Sequence, residues 1–225
     1  MITREAIQSG TYLEHFERMP DMWSKQKLEQ SLHETLAQRP GDCDEFWVFA
    51  YGSLMWNPLV HVEQVEAATL HDWHRAFCLH MTTGRASPES PGRMLALEPG
   101  GQANGVVLRL PRADAEDELK LLWIREMILG SYVPTWAPVT FANGTHTHAI
   151  AFVANPVAEQ YEPDSSIATV APLIRSAAGA FGTNVEYLHR LIDAMAQYDA
   201  HDSYLDSLAD AIGAIPQEDV DSPAR

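Results

Sequence analysis

The sequence predicts an α+β fold, with strands gathered in the middle of the chain and helices before and after them. Three observations carry this. Phe46-Trp47-Val48-Phe49-Ala50-Tyr51 is a nearly continuous apolar run that stops at Gly52, as a short buried strand does. Between residues 67 and 153 further strand-like runs follow one another. From residue 167 onward the pattern is mostly helical. Strands clustered this way, with helices inserted and appended, suggest a closed or strongly curved sheet.

Each element follows from its residues. Residues 1–40 are polar, and 33–38 read as helix before the stop at Arg39-Pro40-Gly41-Asp42. We take 1–44 as an N-terminal helical arm, 45–213 as the main domain and 214–225 as an acidic tail that frays. Beyond the first run, strands are expected at 67–70, 75–80, 93–97, 105–110, 135–140 and 145–153. Residues 82–92, rich in Gly, Ser and Pro, read as a mobile loop. A helix is expected over 111–129. Pro111 sits in its first turn, Asp114, Glu116, Asp117 and Glu118 lie near its positive end, and Gly130 stops it. No internal repeat or heptad pattern is present.

Composition narrows the function. With 15 Lys and Arg against 31 Asp and Glu, the net charge is −16, which leaves no basic face for phosphates or anionic lipid. Neither nucleic acid nor membrane is an expected partner. Apolar stretches such as 149–154 are far too short to span a bilayer, and the first residues carry no signal-peptide core. Cys43 and Cys78 cannot form a disulfide framework and suit a reducing compartment. The expectation is a soluble cytoplasmic protein with small-molecule or protein partners.

One residue stands out by helical geometry. At ~100° per residue, Ala115, Leu119, Leu122, Trp123 and Leu129 form one stripe, and Glu126 falls near its middle. Ile124, Met127 and Ile128 make the last turns apolar nearly all round. A carboxylate buried there is desolvated and holds its proton more tightly, which suits a base that takes a proton and later returns it. The alternative is a structural ion pair with Arg125 or another cation. Tyr51-Gly52-Ser53-Leu54 is a tight turn leaving the first strand. Its successive N–H groups can form an anion nest, or the segment is a plain structural turn.

Other constellations give less. There is no G-x-S-x-G, no P-loop, no G-x-G-x-x-G and no H-E-x-x-H. His71 and His74 are near neighbours, and His146 and His148 share a strand face, but companion ligands at metal-binding intervals are missing. Cys78, between Phe77 and Leu79, reads as a core thiol.

Several segments, in order, resemble one known family. They are Phe49-Ala50-Tyr51-Gly52-Ser53-Leu54-Met55-Trp56-Asn57-Pro58, Trp73-His74-Arg75, Pro91-Gly92-Arg93, Arg125-Glu126 with Gly130-Ser131-Tyr132, and Gly182-Thr183-Asn184-Val185-Glu186-Tyr187-Leu188. Together they resemble the ChaC proteins, the glutathione-specific γ-glutamylcyclotransferases, in their bacterial branch. The resemblance spans about residues 46 to 190.

It implies a compact γ-glutamylcyclotransferase-like β-barrel with flanking helices, working without metal or organic cofactor. It implies glutathione as substrate, with 5-oxoproline and cysteinylglycine as products. The family's catalytic glutamate falls on Glu126, and its substrate loop on Phe49, Ala50, Tyr51, Gly52, Ser53 and Leu54. Ala50 stands where the family usually has Gly, and Ser131 where many members have Gly. Tyr132 and Tyr187 are expected as hydrogen-bonding walls, or else as core aromatics. Arg93 and Arg85 flank the 82–92 loop as candidates to meet the glycyl carboxylate of glutathione, although for Arg85 a solvated loop cation is the favoured alternative.

Three rival readings remain open. One is a cyclotransferase for another γ-glutamyl compound, and another is a non-enzymatic regulator of cation transport. The third is an amide hydrolase using Cys78 with His74 or His80.

Overall fold

The computed structural model describes residues 2–17, 19, 21–41 and 43–214, so all but the first residue of the expected acidic tail lies outside them. The first apolar run forms β1 (Trp47–Ala50), with all four residues buried. It is followed by β2 (Gln64–Met81), β3 (Gly92–Arg109), β4 (Tyr132–Phe141) and β5 (His146–Ala154). These five strands close a barrel in the order β1-β3-β2-β4-β5. Every pairing is antiparallel except the closing one, where Val48 of β1 meets Ile150 of β5 in parallel.

The four strands expected at 67–70, 75–80, 93–97 and 105–110 are in fact two, β2 and β3, running as one long hairpin. The polar run His71-Asp72-Trp73-His74 looks like a break in the sequence. It is instead a bulge, with Asp72 at φ 66 opposite Gly100 and Gly101, both also at positive φ. A second irregularity falls between Ala76 and Leu79. The hairpin therefore bends, so one part closes the barrel and the other projects past it.

The loop joining them, expected to be mobile, is anchored. Gly84 O accepts from Phe181 N at 2.7 Å, and Ser90 Oγ donates to Ser176 O at 2.6 Å.

Six helices flank the barrel among the described residues: α1 (Arg4–Ser9), α2 (Lys25–Ala37), α3 (Ala115–Glu126), α4 (Ile167–Ser176), α5 (Asn184–Ala196) and α6 (Ser203–Ala214). The α3 helix is shorter than the 111–129 expectation, and its apolar stripe packs on β5, with Trp123 edge-on to Phe152 at 5.3 Å.

The N-terminal segment lies along α3. Arg4 holds Glu118 with two bonds of 2.5 and 2.8 Å. Glu118 is thus buried with a partner instead of facing water beside the helix dipole. Trp23 N donates to Ile128 O at 2.7 Å. Trp123 Nε1 reaches Ser31 Oγ at 3.2 Å, and Trp136 Nε1 reaches Thr35 O at 2.8 Å, fastening α2.

Candidate active site

A cavity of about 390 Å³ opens at the C-terminal end of α3, within the usual size of small-ligand sites. Glu126, the last residue of that helix, lines it. The helix is capped by Met127, whose N–H donates to Trp123 O, and the turn after it closes at Gly130, at φ 66, where no side chain fits, since a Cβ would overlap the Trp23 indole. Facing it is the turn after β1, where Gly52, Ser53 and Leu54 also line the cavity. Gly52 too has no room for a side chain: a Cβ would stand 2.7 Å from the Tyr187 hydroxyl.

The Glu126 side chain is 15% exposed, and burial holds its carboxyl above the ordinary glutamate range, with Arg125 partly opposing that shift. Arg125 itself is buried and makes three contacts. It donates to Asn57 O and to Ser53 Oγ at 2.6 Å, and its Nε lies 2.9 Å from Glu126 Oε1. The last contact is ionic and poorly aligned, so Glu126 Oε1 accepts no hydrogen bond among the described residues. One arginine thus ties the 53–57 turn to the carboxylate and leaves that oxygen able to take a proton.

Four tyrosines surround this carboxylate: Tyr12, Tyr51, Tyr132 and Tyr187. Burial, reinforced by the Glu126 charge, raises all four phenols, so they stay neutral at any physiological pH. Three commit their protons to main-chain carbonyls. Tyr51 donates to Phe152 O at 2.5 Å, Tyr132 to Leu95 O at 3.0 Å and Tyr12 to Arg125 O at 3.3 Å. The Tyr187 hydroxyl is hydrogen-bonded to the Ser53 main chain. A carboxylate beside three phenol oxygens whose protons are already engaged suits a cationic group, such as an ammonium.

Behind the turn, the buried guanidinium of Arg75 fixes it in place. Its Nε donates to Tyr51 O at 2.9 Å, and its other nitrogens reach Asn104 O and Asp202 Oδ2.

Of the residues singled out from the sequence, Tyr51, Gly52, Ser53, Leu54, Glu126, Tyr132 and Tyr187 meet at the cavity. Phe49 and Ala50 do not. They are fully buried strand residues, with the Phe49 ring and the Ala50 carbonyl packed where a side chain on Gly105 would stand. The alanine in place of glycine is accommodated in the core and leaves the cavity wall untouched. Arg93 is also absent from the wall. Its N–H bonds Asn184 Oδ1 at 3.0 Å and its guanidinium lies 3.7 Å from Glu162. Arg85, by contrast, does line the cavity.

Sequence reasoning missed the contribution of the N-terminal segment: Tyr12, Phe16 and Met19 form part of the cavity wall. The available signal was Tyr12 and Phe16, two aromatics four residues apart in an otherwise polar stretch. It also missed Arg125 as the link between turn and base.

The cysteine-hydrolase reading fails on geometry. Cys78 is fully buried, does not line the cavity, and burial pushes its thiol up to about 12. We expect native protein at pH 8 to keep its full activity after prolonged iodoacetamide treatment, with no adduct at Cys78 by mass spectrometry. Rapid alkylation with loss of activity is the opposing result.

The closed five-stranded barrel with helices on its flanks is the γ-glutamyl cyclotransferase fold. It matches a crystal structure of a γ-glutamyl cyclotransferase specific to glutathione from yeast with a TM-score of 0.68 at 21% identity, over 75% of this chain and 95% of that one. The ChaC-like protein family profile matches residues 46–215, and the chain belongs to that family. It is 42% identical over 210 residues to the glutathione-specific γ-glutamylcyclotransferase of Escherichia coli K12, covering 92% of this chain and 90% of that protein. It is 32% identical over 183 residues to the human glutathione-specific γ-glutamylcyclotransferase 1, covering 78% of this chain and 82% of the other.

Proposed function

We propose that this protein is a glutathione-specific γ-glutamylcyclotransferase, releasing 5-oxoproline and cysteinylglycine. The single observation that carries the reading is the desolvated, proton-ready carboxylate of Glu126 facing a glycine-bearing turn across a ligand-sized cavity. The names of the relatives, at the identities given above, support the choice of substrate. A net charge of −16 favours a small-molecule substrate over nucleic acid. Two free, buried cysteines support a reducing compartment such as the cytoplasm.

The chemistry needs no protein nucleophile, because the substrate carries its own. Its α-amine attacks its γ-carbonyl to close a five-membered ring, and intramolecular attack already has a high effective concentration. The enzyme's tasks are to bend the γ-glutamyl chain, remove protons from an ammonium, stabilise an oxyanion and protonate a leaving amine.

Glu126 takes a proton from the α-ammonium, which the phenol oxygens around it help to seat. The freed amine forms the new C–N bond as the carbonyl becomes an oxyanion. With the Ser53 N–H taken by the Tyr187 hydroxyl, the main-chain N–H groups of Gly52 and Leu54 supply dipoles for that charge, the turn being held in position by Arg75 and Arg125. Glu126 then returns protons to the departing nitrogen as the amide C–N bond breaks. Two protons leave the attacking nitrogen and two reach the leaving one, so the carboxylate ends as it began. Raising its proton affinity by burial narrows the gap to the amine it must deprotonate.

The test is to supply reduced glutathione, oxidised glutathione and γ-glutamyl-alanine separately and follow 5-oxoproline by mass spectrometry. Product from reduced glutathione alone is expected. Turnover of γ-glutamyl-alanine at a matching rate overturns the substrate assignment, and no product from any of the three overturns the activity.

A further inference from the structure

Beyond the carboxylate and the turn, the cavity carries a charge arrangement that cyclisation itself does not use. It lies on the side formed by the 82–91 loop and α5. One carboxylate, Glu186, is shared by two arginines: Arg85 Nη1 lies 3.3 Å from Oε2 and Arg190 Nη2 lies 2.7 Å from Oε1. Both arginines line the cavity. Two guanidinium groups and one carboxylate leave a local surplus of one positive charge.

The surplus is held in place. Arg85 also donates to Thr183 O at 3.0 Å, and its side chain is only 12% exposed. Gly182, at φ 105, leaves the space the pair occupies, since a Cβ there would overlap the Glu186 carboxylate and sit 3.1 Å from Arg85. Arg85 lies 5.8 Å from the centroid of the Tyr187 ring, and the hydroxyl of that ring reaches Ser53 in the turn. A single tyrosine therefore separates the surplus cation from the proposed reacting end. Elsewhere at the wall Arg125 is already matched by Glu126, and the remaining carboxylate, Glu159, is hydrogen-bonded to Asp21 and not to either arginine of the pair.

Any γ-glutamyl compound presents the same ammonium and carboxylate at its reacting end. What distinguishes a γ-glutamyl peptide is a second carboxylate at its far end. We propose that Arg85 and Arg190, bridged by Glu186, form a carboxylate subsite that takes this C-terminal carboxylate and selects γ-glutamyl peptides over neutral γ-glutamyl amides and amines. The assignment rests on the cyclotransferase reading above and gives it a source of specificity. A fixed, part-desolvated cation left unmatched by a neutral ligand penalises that ligand, which is how a polar site discriminates against an analogue lacking the right group.

The experiment compares glutathione with γ-glutamyl-cysteinyl-glycinamide, identical except that its far end is uncharged, by 5-oxoproline release. On the wild-type protein we expect kcat/KM to fall at least about tenfold for the amide, mostly through KM. In Arg85→Gln the two substrates should come within about threefold of each other, because glutathione loses the contact and the amide had none. Equal turnover of both by the wild-type protein overturns the subsite and leaves the cyclotransferase activity standing, and this arm needs no variant to fold. A soluble Arg85→Gln that keeps the wild-type preference also overturns it. If the wild-type protein releases 5-oxoproline from neither, the activity itself is wrong and the subsite falls with it.

Discussion

Replacing Glu126 by Gln is expected to lower turnover of glutathione by about 10²- to 10⁴-fold, the usual worth of a positioned general base. The change keeps the shape of the side chain and its contact with Arg125 but removes the ability to carry protons. Substrate binding should survive, since the turn and the arginines remain. The wild-type pH profile should rise through a limb placed above the ordinary glutamate range, because burial raises the carboxyl.

Stability gives an independent check. In the folded state the Glu126 carboxyl keeps its proton to higher pH than in the unfolded chain. Between those two values the native state holds the extra proton, so stability falls as pH rises through the window. Glutamine carries no such penalty. Glu126→Gln should therefore melt no lower than wild type at pH 7.5, and any advantage should shrink towards pH 4. Near-wild-type turnover by a folded Glu126→Gln sinks the assignment.

The second large effect is expected at Arg125, and it is structural as well as catalytic. Its side chain is 3% exposed and serves Asn57 O, Ser53 Oγ and Glu126 together. Arg125→Ala strands two acceptors and an unmatched buried carboxylate, a loss of about 3–5 kcal/mol for removing one partner of a buried pair. For a chain of this size that lowers the melting temperature by on the order of 10 °C. Among the described residues Arg125 is the influence that lowers the Glu126 carboxyl, so its removal should push the rising limb of the pH profile further upward. A melting temperature within about 2 °C of wild type, with an unmoved limb, contradicts this role.

The sequence was legible where one element's own residues carried the signal. Helical periodicity over α3 was enough to isolate Glu126, because a carboxylate amid Leu119, Leu122, Trp123 and Met127 violates the pattern around it. The Tyr51-Gly52-Ser53-Leu54 turn was legible because it follows an unbroken apolar strand. Long-range pairing was less legible. A polar tetrapeptide such as 71–74 looks the same at a turn and at a bulge, and only the partner strand, with Gly100 and Gly101 opposite, decides between them. Within the segment expected as a substrate loop at 49–54, Phe49 and Ala50 belong to the strand and stand off the cavity wall, and only Tyr51 to Leu54 reach it. Arg93 shows the remaining difficulty. Proximity in sequence to the loop says nothing of direction, and Asn184 and Glu162, roughly 90 and 70 residues away, draw it elsewhere. The role of Tyr12 and Phe16 was hidden for the same reason, because their surroundings come from α3 and from the loops around the cavity.

The parallel seam between β1 and β5 has a consequence for how the protein is made. Val48 cannot find Ile150 until about a hundred further residues have left the ribosome, and Tyr187 follows later still. Contacts so distant in sequence form slowly. Between the making of residue 126 and that of residue 187, Glu126 therefore stands in water as an ordinary acid with no closed cavity around it. The nascent chain therefore has no closed site until the residues up to Arg190 have been made.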